Sequence, residues 1–107
     1  MATGNIQYKS KVINETNSGD KQIVAAVTST AINVHAFVVT VTAAGVYRWE
    51  SGAGGTALTG IMNVAADDTI VFPFSEVPWF SAAVGVALSM EVGAGDIDGH
   101  IIYSESS

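Results

Sequence analysis

The sequence predicts an all-β fold: a single-domain antiparallel β-sandwich of jelly-roll type with seven or eight short strands. Three observations predict it. Several stretches alternate apolar and polar residues at period two. Turn signals recur at Asn17-Ser-Gly-Asp, Ala44-Gly, Ser51 to Gly55, Ala66-Asp-Asp and Gly93 to Asp96. The length of 107 residues supports one hydrophobic core, and 49% apolar residues supply it.

In chain order, Ile6 to Ile13 is the first strand candidate. Residues 1–14 form an N-terminal arm or edge strand, and residues 15–107 the sandwich domain. The arm from Ala2 to Ile13 is expected to order on binding a partner. Lys21 to Val27 is the second candidate strand. Ile32 to Val41 is rich in β-branched residues, with Phe37, Val39 and Val41 on one side and Val34, Ala36 and Val38 on the other. Neither side is charged, so this strand is expected to be covered twice, once by the core and once by a neighbouring subunit. Val46 to Glu50 follows. Thr69 to Phe74 puts Ile70, Phe72 and Phe74 on one face, and Pro73 marks a strand end or a sheet edge. Ala-rich Ser81 to Met90 admits a helix, which Gly85 between Val84 and Val86 opposes. Val86, Leu88, Met90 and Val92 alternate inward, with Ser89 and Glu91 outward. Ile97, Ile101 and Tyr103 share a face in the last strand, and Gly93-Ala-Gly-Asp between the two reads as a hairpin turn.

Composition removes several function classes. The net charge is −6, and the basic residues are Lys9, Lys11, Lys21 and Arg48 alone. Nucleic-acid binding and attraction to anionic membranes both need clustered cations. With no cysteine, disulfides, thiolate metal sites and cysteine nucleophiles are excluded. The uncharged run from Gln22 to Tyr47 is long enough to span a bilayer, but Thr28, Ser29, Thr30, Asn33, His35, Thr40 and Thr42 interrupt it. The opening Met-Ala-Thr-Gly-Asn lacks the regions of a signal peptide, so Asn14-Glu-Thr reads as a chance glycosylation sequon.

The glycine-rich stretch Glu50-Ser-Gly-Ala-Gly-Gly-Thr-Ala-Leu-Thr-Gly invites a phosphate-binding reading. Gly52, Gly54 and Ala57 satisfy G-x-G-x-x-A. No helix follows to hold a pyrophosphate, and Ile61-Met62 stands where a P-loop needs Lys and Ser or Thr. A hairpin turn is the better reading. Asp96, Asp98 and His100 alternate on a strand and offer a carboxylate–carboxylate–imidazole set. Turn chemistry accounts for the acids equally well, and no metal or cofactor is expected. Asp67-Asp68 reads the same way. His35 and His100 are the candidate bases near neutrality, but no nucleophile elbow accompanies them, and no catalytic residue is assigned.

The order Glu50-Ser-Gly-Ala-Gly-Gly-Thr-Ala-Leu-Thr-Gly, Val71-Phe-Pro-Phe, Pro78-Trp-Phe, Gly85-Val-Ala-Leu-Ser-Met and Gly99-His-Ile-Ile-Tyr resembles small β-rich virion proteins of tailed bacteriophages. The resemblance covers residues 32–104, and the Asp96-Ile-Asp turn departs from it. It implies a non-enzymatic capsid decoration (cement) protein that binds the major capsid protein on the outer capsid surface of the virion. Such a protein forms a homo-oligomer, a trimer being favoured, and is made in the host cytoplasm. The residues expected at a subunit or partner interface are Tyr8, Val34, His35, Phe37, Trp79 and Phe80. The alternative is a carbohydrate-binding or host-adhesion sandwich with Trp79, Phe80 or Tyr47 as stacking platforms.

Overall fold

A computed structural model describes residues 6–106. The chain is all-β, with ten strands among the described residues: β1 (Lys9–Glu15), β2 (Gly19–Val24), β3 (Ala31–Val41), β4 (Gly45–Ser51), β5 (Thr56–Ala57), β6 (Met62–Val64), β7 (Thr69–Phe72), β8 (Phe80–Ser81), β9 (Leu88–Val92) and β10 (Ile97–Ser106). They form two antiparallel sheets. One, sheet A, runs β1-β10-β3-β7, with β8 also on β3; the other, sheet B, runs β2-β9-β4-β5, with β6 also on β4. The pairs β5/β6 and β7/β8 each lie along one edge of a longer strand, as single strands interrupted by a loop. Counted that way there are eight positions in two four-stranded sheets, the architecture of a jelly roll.

This topology corrects one turn. Gly93 to Asp96 does not close a hairpin, because β9 lies in sheet B and β10 in sheet A. The chain also crosses between the sheets after β1, β2, β3, β6 and β8. These crossovers need sharp turns, and Asn17 and Asp67 adopt positive φ to make them. Ser51 to Gly55 does close a hairpin, onto β5, with Gly52 and Gly54 at positive φ. Ser81 to Met90 is not helical: β8 ends at Ser81, a turn runs through Gly85 at φ 76°, and β9 starts at Leu88. Among the described residues no helix is long and apolar enough to cross a membrane.

The sheets close over one core. Ile13, Ile32, Val34, Phe37, Val39, Val41, Ile97 and Ile101 enter from sheet A, and Tyr47, Trp49, Leu88, Met90 and Val92 from sheet B. Its centre is aromatic: Phe37 stacks on Phe72 at 4.5 Å and meets Trp49 at 5.0 Å, and Trp49 meets Phe80 at 5.8 Å. Each large apolar side chain buried in this way contributes about 1.5–3 kcal/mol.

Strand β3 does not keep one parity. Its register with β10 runs Phe37 opposite Ile101 and Ala36 opposite Ile102, then jumps to Val34 opposite Tyr103. His35 is the extra residue of a β-bulge. Phe37, Val39 and Val41 therefore face the core on one side of it, and Ile32 and Val34 on the other. The expected placement of Val34 opposite to Phe37 is corrected by this one residue. A second parity break follows Pro73. Ile70 and Phe72 pack against the core, but Phe74 is 54% exposed on the outer face of sheet A.

Residues 9–14 of the expected N-terminal arm, continued by Glu15, form the edge strand β1, paired with β10 from Lys9–Tyr103 to Glu15–Ile97. Its first five residues lie outside the described part of the chain. Where β10 lies between β1 and β3, Gly99 has Val39 on one side and Ile13 on the other. A Cβ at Gly99 would collide with the Val38 carbonyl oxygen. The Gly99→Ala variant is expected to lose at least ~1–3 kcal/mol, the range for forcing backbone shifts in a packed interior; urea unfolding checks this, and an unchanged midpoint contradicts the packing described.

The Tyr47 hydroxyl lies 2.9 Å from the Ala43 carbonyl oxygen and 2.6 Å from that of Ala94. It thereby links the β3–β4 and β9–β10 crossovers. Burial holds its pKa above the ordinary 10.0, outweighing the opposing hydrogen bond to Ala94. A raised folded-state value means this contribution is intact below pH 10 and is lost as pH rises through the folded value. Tyr47→Phe is expected to be less stable than wild type at pH 7 by about 1–2 kcal/mol. The gap should narrow above pH 10, measured by denaturant titration at each pH; a gap that widens there contradicts the assignment.

Candidate functional site

The outer face of sheet A is built by β1, β10, β3 and β7. Its groove is lined by Ala36, Val38, Val71, Pro73, Phe74 and Ile102, with Phe37, Phe72 and His100 completing the wall. No Lys, Arg, Asp or Glu lines it. Val38 is 40% exposed, Val71 59% and Phe74 54%, and Val12, opposite His100 on β1, is 71% exposed. The local cause is sequence: β3 and β7 carry β-branched residues on both faces, so the face turned from the core is apolar too.

At one end of this face lies the bulge residue His35, only 1% exposed. Its Nδ1 lies 2.8 Å from the Ser75 carbonyl oxygen, which can only accept, so Nδ1 carries the hydrogen. Nε2, 2.8 Å from Ser104 Oγ, then accepts from the serine hydroxyl in the neutral ring. Asn33 Nδ2 donates to Ser104 and Ser106, and Ser81 Oγ donates to Asn33 Oδ1. The Ser75 N–H returns to the His35 carbonyl at 3.0 Å. Tyr8 covers the ring edge-on at 4.9 Å and meets Phe74 at 5.1 Å. Every polar atom of the imidazole is thus engaged, and its role is to hold the bulge and the 73–79 segment.

The six residues expected at an interface separate into two sets. Tyr8 and Trp79 are on the surface, 41% and 48% exposed. Val34 and Phe37 are not available to a partner: the bulge turns both into the core, where they are 0% and 3% exposed. Phe80 packs half-buried against the core, and His35 lies beneath Tyr8 and Phe74. Trp79 caps Phe72 edge-on at 5.1 Å and donates Nε1–H to the Pro73 carbonyl at 2.9 Å. The surface residues that sequence reasoning passed over are Val12, Val71 and Phe74. The parity break at Pro73 hid Phe74, while the alternation of β7 carried the signal for Val71.

A second cluster lies on the outer face of sheet B. Asp20, Glu91 and Arg48 stand side by side across β2, β9 and β4, with Glu50 beside them on β4. Carboxylate oxygens of Asp20, Glu50 and Glu91 lie within 4.8 Å of one another. Glu50 is fully buried because the glycine-rich loop folds over it, and the Gly54 N–H donates to its Oε1 at 3.0 Å. Burial, then the neighbouring Asp20, pushes the Glu50 carboxyl above its ordinary range. Arg48 Nε sits 2.8 Å from Glu91 Oε1 and 3.6 Å from Glu50 Oε2 without hydrogen-bond geometry to either. Three acids from positions 20, 50 and 91 leave no spacing signal, so the sequence could not show this cluster. The acids it did single out are used differently: Asp96 Oδ1 accepts the Asn17 N–H at 3.0 Å, and Asp68 Oδ2 accepts the Ala65 N–H at 2.8 Å, both holding turns.

No protein-family model matches this chain, and no curated protein matches it. Solved structures do. One is from Bacillus endospore appendages, described as a novel family of disulfide-linked pili. It is similar over 100% of this chain and 94% of its own, at a TM-score of 0.56 and 16% identity. The capsular polysaccharide assembling protein CapF from Staphylococcus aureus aligns over 99% of this chain and 24% of its own, at a TM-score of 0.30 and 14% identity. The first shares the fold across both whole chains; the second is too distant to bear on this one.

Truncating the bulge residue tests the polar network. His35→Ala is expected to cost ~2–4 kcal/mol, combining a cavity with unpaired Ser75 and Ser104 groups. Urea unfolding measures it, and a loss below about 1 kcal/mol would show that the bulge does not depend on the ring.

Proposed function

We propose that this chain is a non-enzymatic structural subunit that packs against further copies of itself through the outer face of sheet A. The observation that carries this reading is the uncharged groove of Val38, Val71, Phe74 and Ile102, flanked by exposed Val12. Contiguous apolar surface of this kind on a soluble domain is characteristic of an interface. Copies each bearing a net charge of −6 repel one another, so close approach favours this groove, which no Asp or Glu lines. Aromatic and aliphatic anchors at its centre, with polar groups at the rim, suit a homo-oligomer.

The finer reading is a capsid decoration protein, favoured by the resemblance to tailed-phage virion proteins over residues 32–104. It would bind the major capsid protein on the outer surface, favour a trimer, and stabilise the lattice by mass action. A second reading, a subunit of a surface fibre, is favoured by the whole-chain fold likeness to the endospore appendage structure. That structure is described as disulfide-linked; with no cysteine in this sequence, assembly here would rest on non-covalent packing.

Light scattering of the wild type at micromolar concentration is expected to show an oligomer. Val71→Glu and Val38→Glu should be monomeric and keep the circular dichroism of the wild type, because both side chains are already partly in water. A monomeric wild type would overturn the self-association. Co-sedimentation with purified capsids separates the two finer readings: retention supports decoration, and free protein alongside growing fibres supports the second.

A further inference from the structure

We propose that Asp20, Glu50 and Glu91 form a calcium-type divalent cation site on sheet B, roofed by the glycine-rich loop. The donor set is all carboxylate oxygen, the chemistry that hard cations take. The three carboxylate groups present oxygens within 4.8 Å of one another. Calcium bonds of about 2.3–2.6 Å bridge oxygens up to roughly 5 Å apart, and calcium accepts irregular oxygen cages where magnesium demands a near-ideal octahedron.

The acids alone would not carry the proposal. The second observation is a pair of buried polar atoms with no hydrogen-bond partner among the described residues. Glu50 is 0% exposed; Gly54 N–H fixes its Oε1, while Oε2 has no hydrogen-bond donor. Ser89, directly opposite Glu50 across β9 and β4, is also 0% exposed with an unpartnered Oγ. A fully buried carboxylate oxygen left without a donor is costly unless a cation meets it. Arg48 is the cation already present, 3.6 Å from that oxygen, but it makes no hydrogen bond to it. Glu50 Oε1 is oriented by the loop, so the loop's part is to position a ligand. Asp20 is exposed and Glu91 half-buried, which leaves the site open to solvent and to water ligands.

Calorimetric titration and thermal melting of the chelator-stripped protein test this directly. With calcium at about 10 mM and a dissociation constant of about 0.1–1 mM, the melting temperature is expected to rise by roughly 5–20 °C. Magnesium at the same concentration should give a smaller rise. Asp20→Asn and Glu91→Gln, at positions open to solvent, should keep the circular dichroism of the wild type and lose most of the calcium response. Glu50→Gln should lose it as well. No shift and no binding heat in the wild type would overturn the site, as would an equal calcium response in Asp20→Asn and Glu91→Gln.

Discussion

The bulge at His35 is the constraint on which the rest of this molecule depends. An eleven-residue strand of unbroken alternation would bury Phe37, Val39 and Val41 and turn Ile32 and Val34 to solvent. One extra residue resets the alternation, and both ends of β3 reach the core. The extra residue must itself be accommodated, and the imidazole does this. It bonds the backbone of the 73–79 segment with one nitrogen and Ser104 of β10 with the other. That attachment also sets where the edge of sheet A breaks. β7 pairs with Phe37 to Thr40, β8 pairs with Asn33 and Val34, and the chain leaves the sheet between them.

The consequence is two outer faces of opposite character. Sheet A presents an apolar groove that no Lys, Arg, Asp or Glu lines, and sheet B presents acids around a single arginine. Each is partly roofed by a loop that interrupts an edge strand. Residues 73–79 lie over His35 on one side, and the glycine-rich loop lies over Glu50 on the other. Between the two faces Trp49, Phe37, Phe72 and Phe80 pack together at the centre of the sandwich.

Much of the fold was legible from alternation and turn chemistry. β4 and β9 were readable because Tyr47, Trp49, Leu88, Met90 and Val92 sit at strict period two. The β7 end was readable because proline cannot donate to the ladder. What alternation could not show was any departure from it: the bulge at His35, which no residue type announces, and the change of face after Pro73. Nor could it show that Gly93 to Asp96 crosses between sheets, since the same residues serve a hairpin and a crossover. On the surface, the apolar character of sheet A was visible in the uncharged run before Tyr47, but which residues reach solvent followed from the bulge. Glu50 was read as a strand end; its burial depends on a loop lying over it and on Asp20 and Glu91 from distant strands.

The most direct test of this account is the register of β3 against β10, read from cross-strand nuclear Overhauser contacts in solution. The structure predicts Ala36 opposite Ile102 and Val34 opposite Tyr103, with His35 unpaired between them. A continuous register placing His35 opposite Tyr103 and Val34 opposite Ser104 would contradict it: Val34 would then leave the core, and the outer face of sheet A would be a different surface.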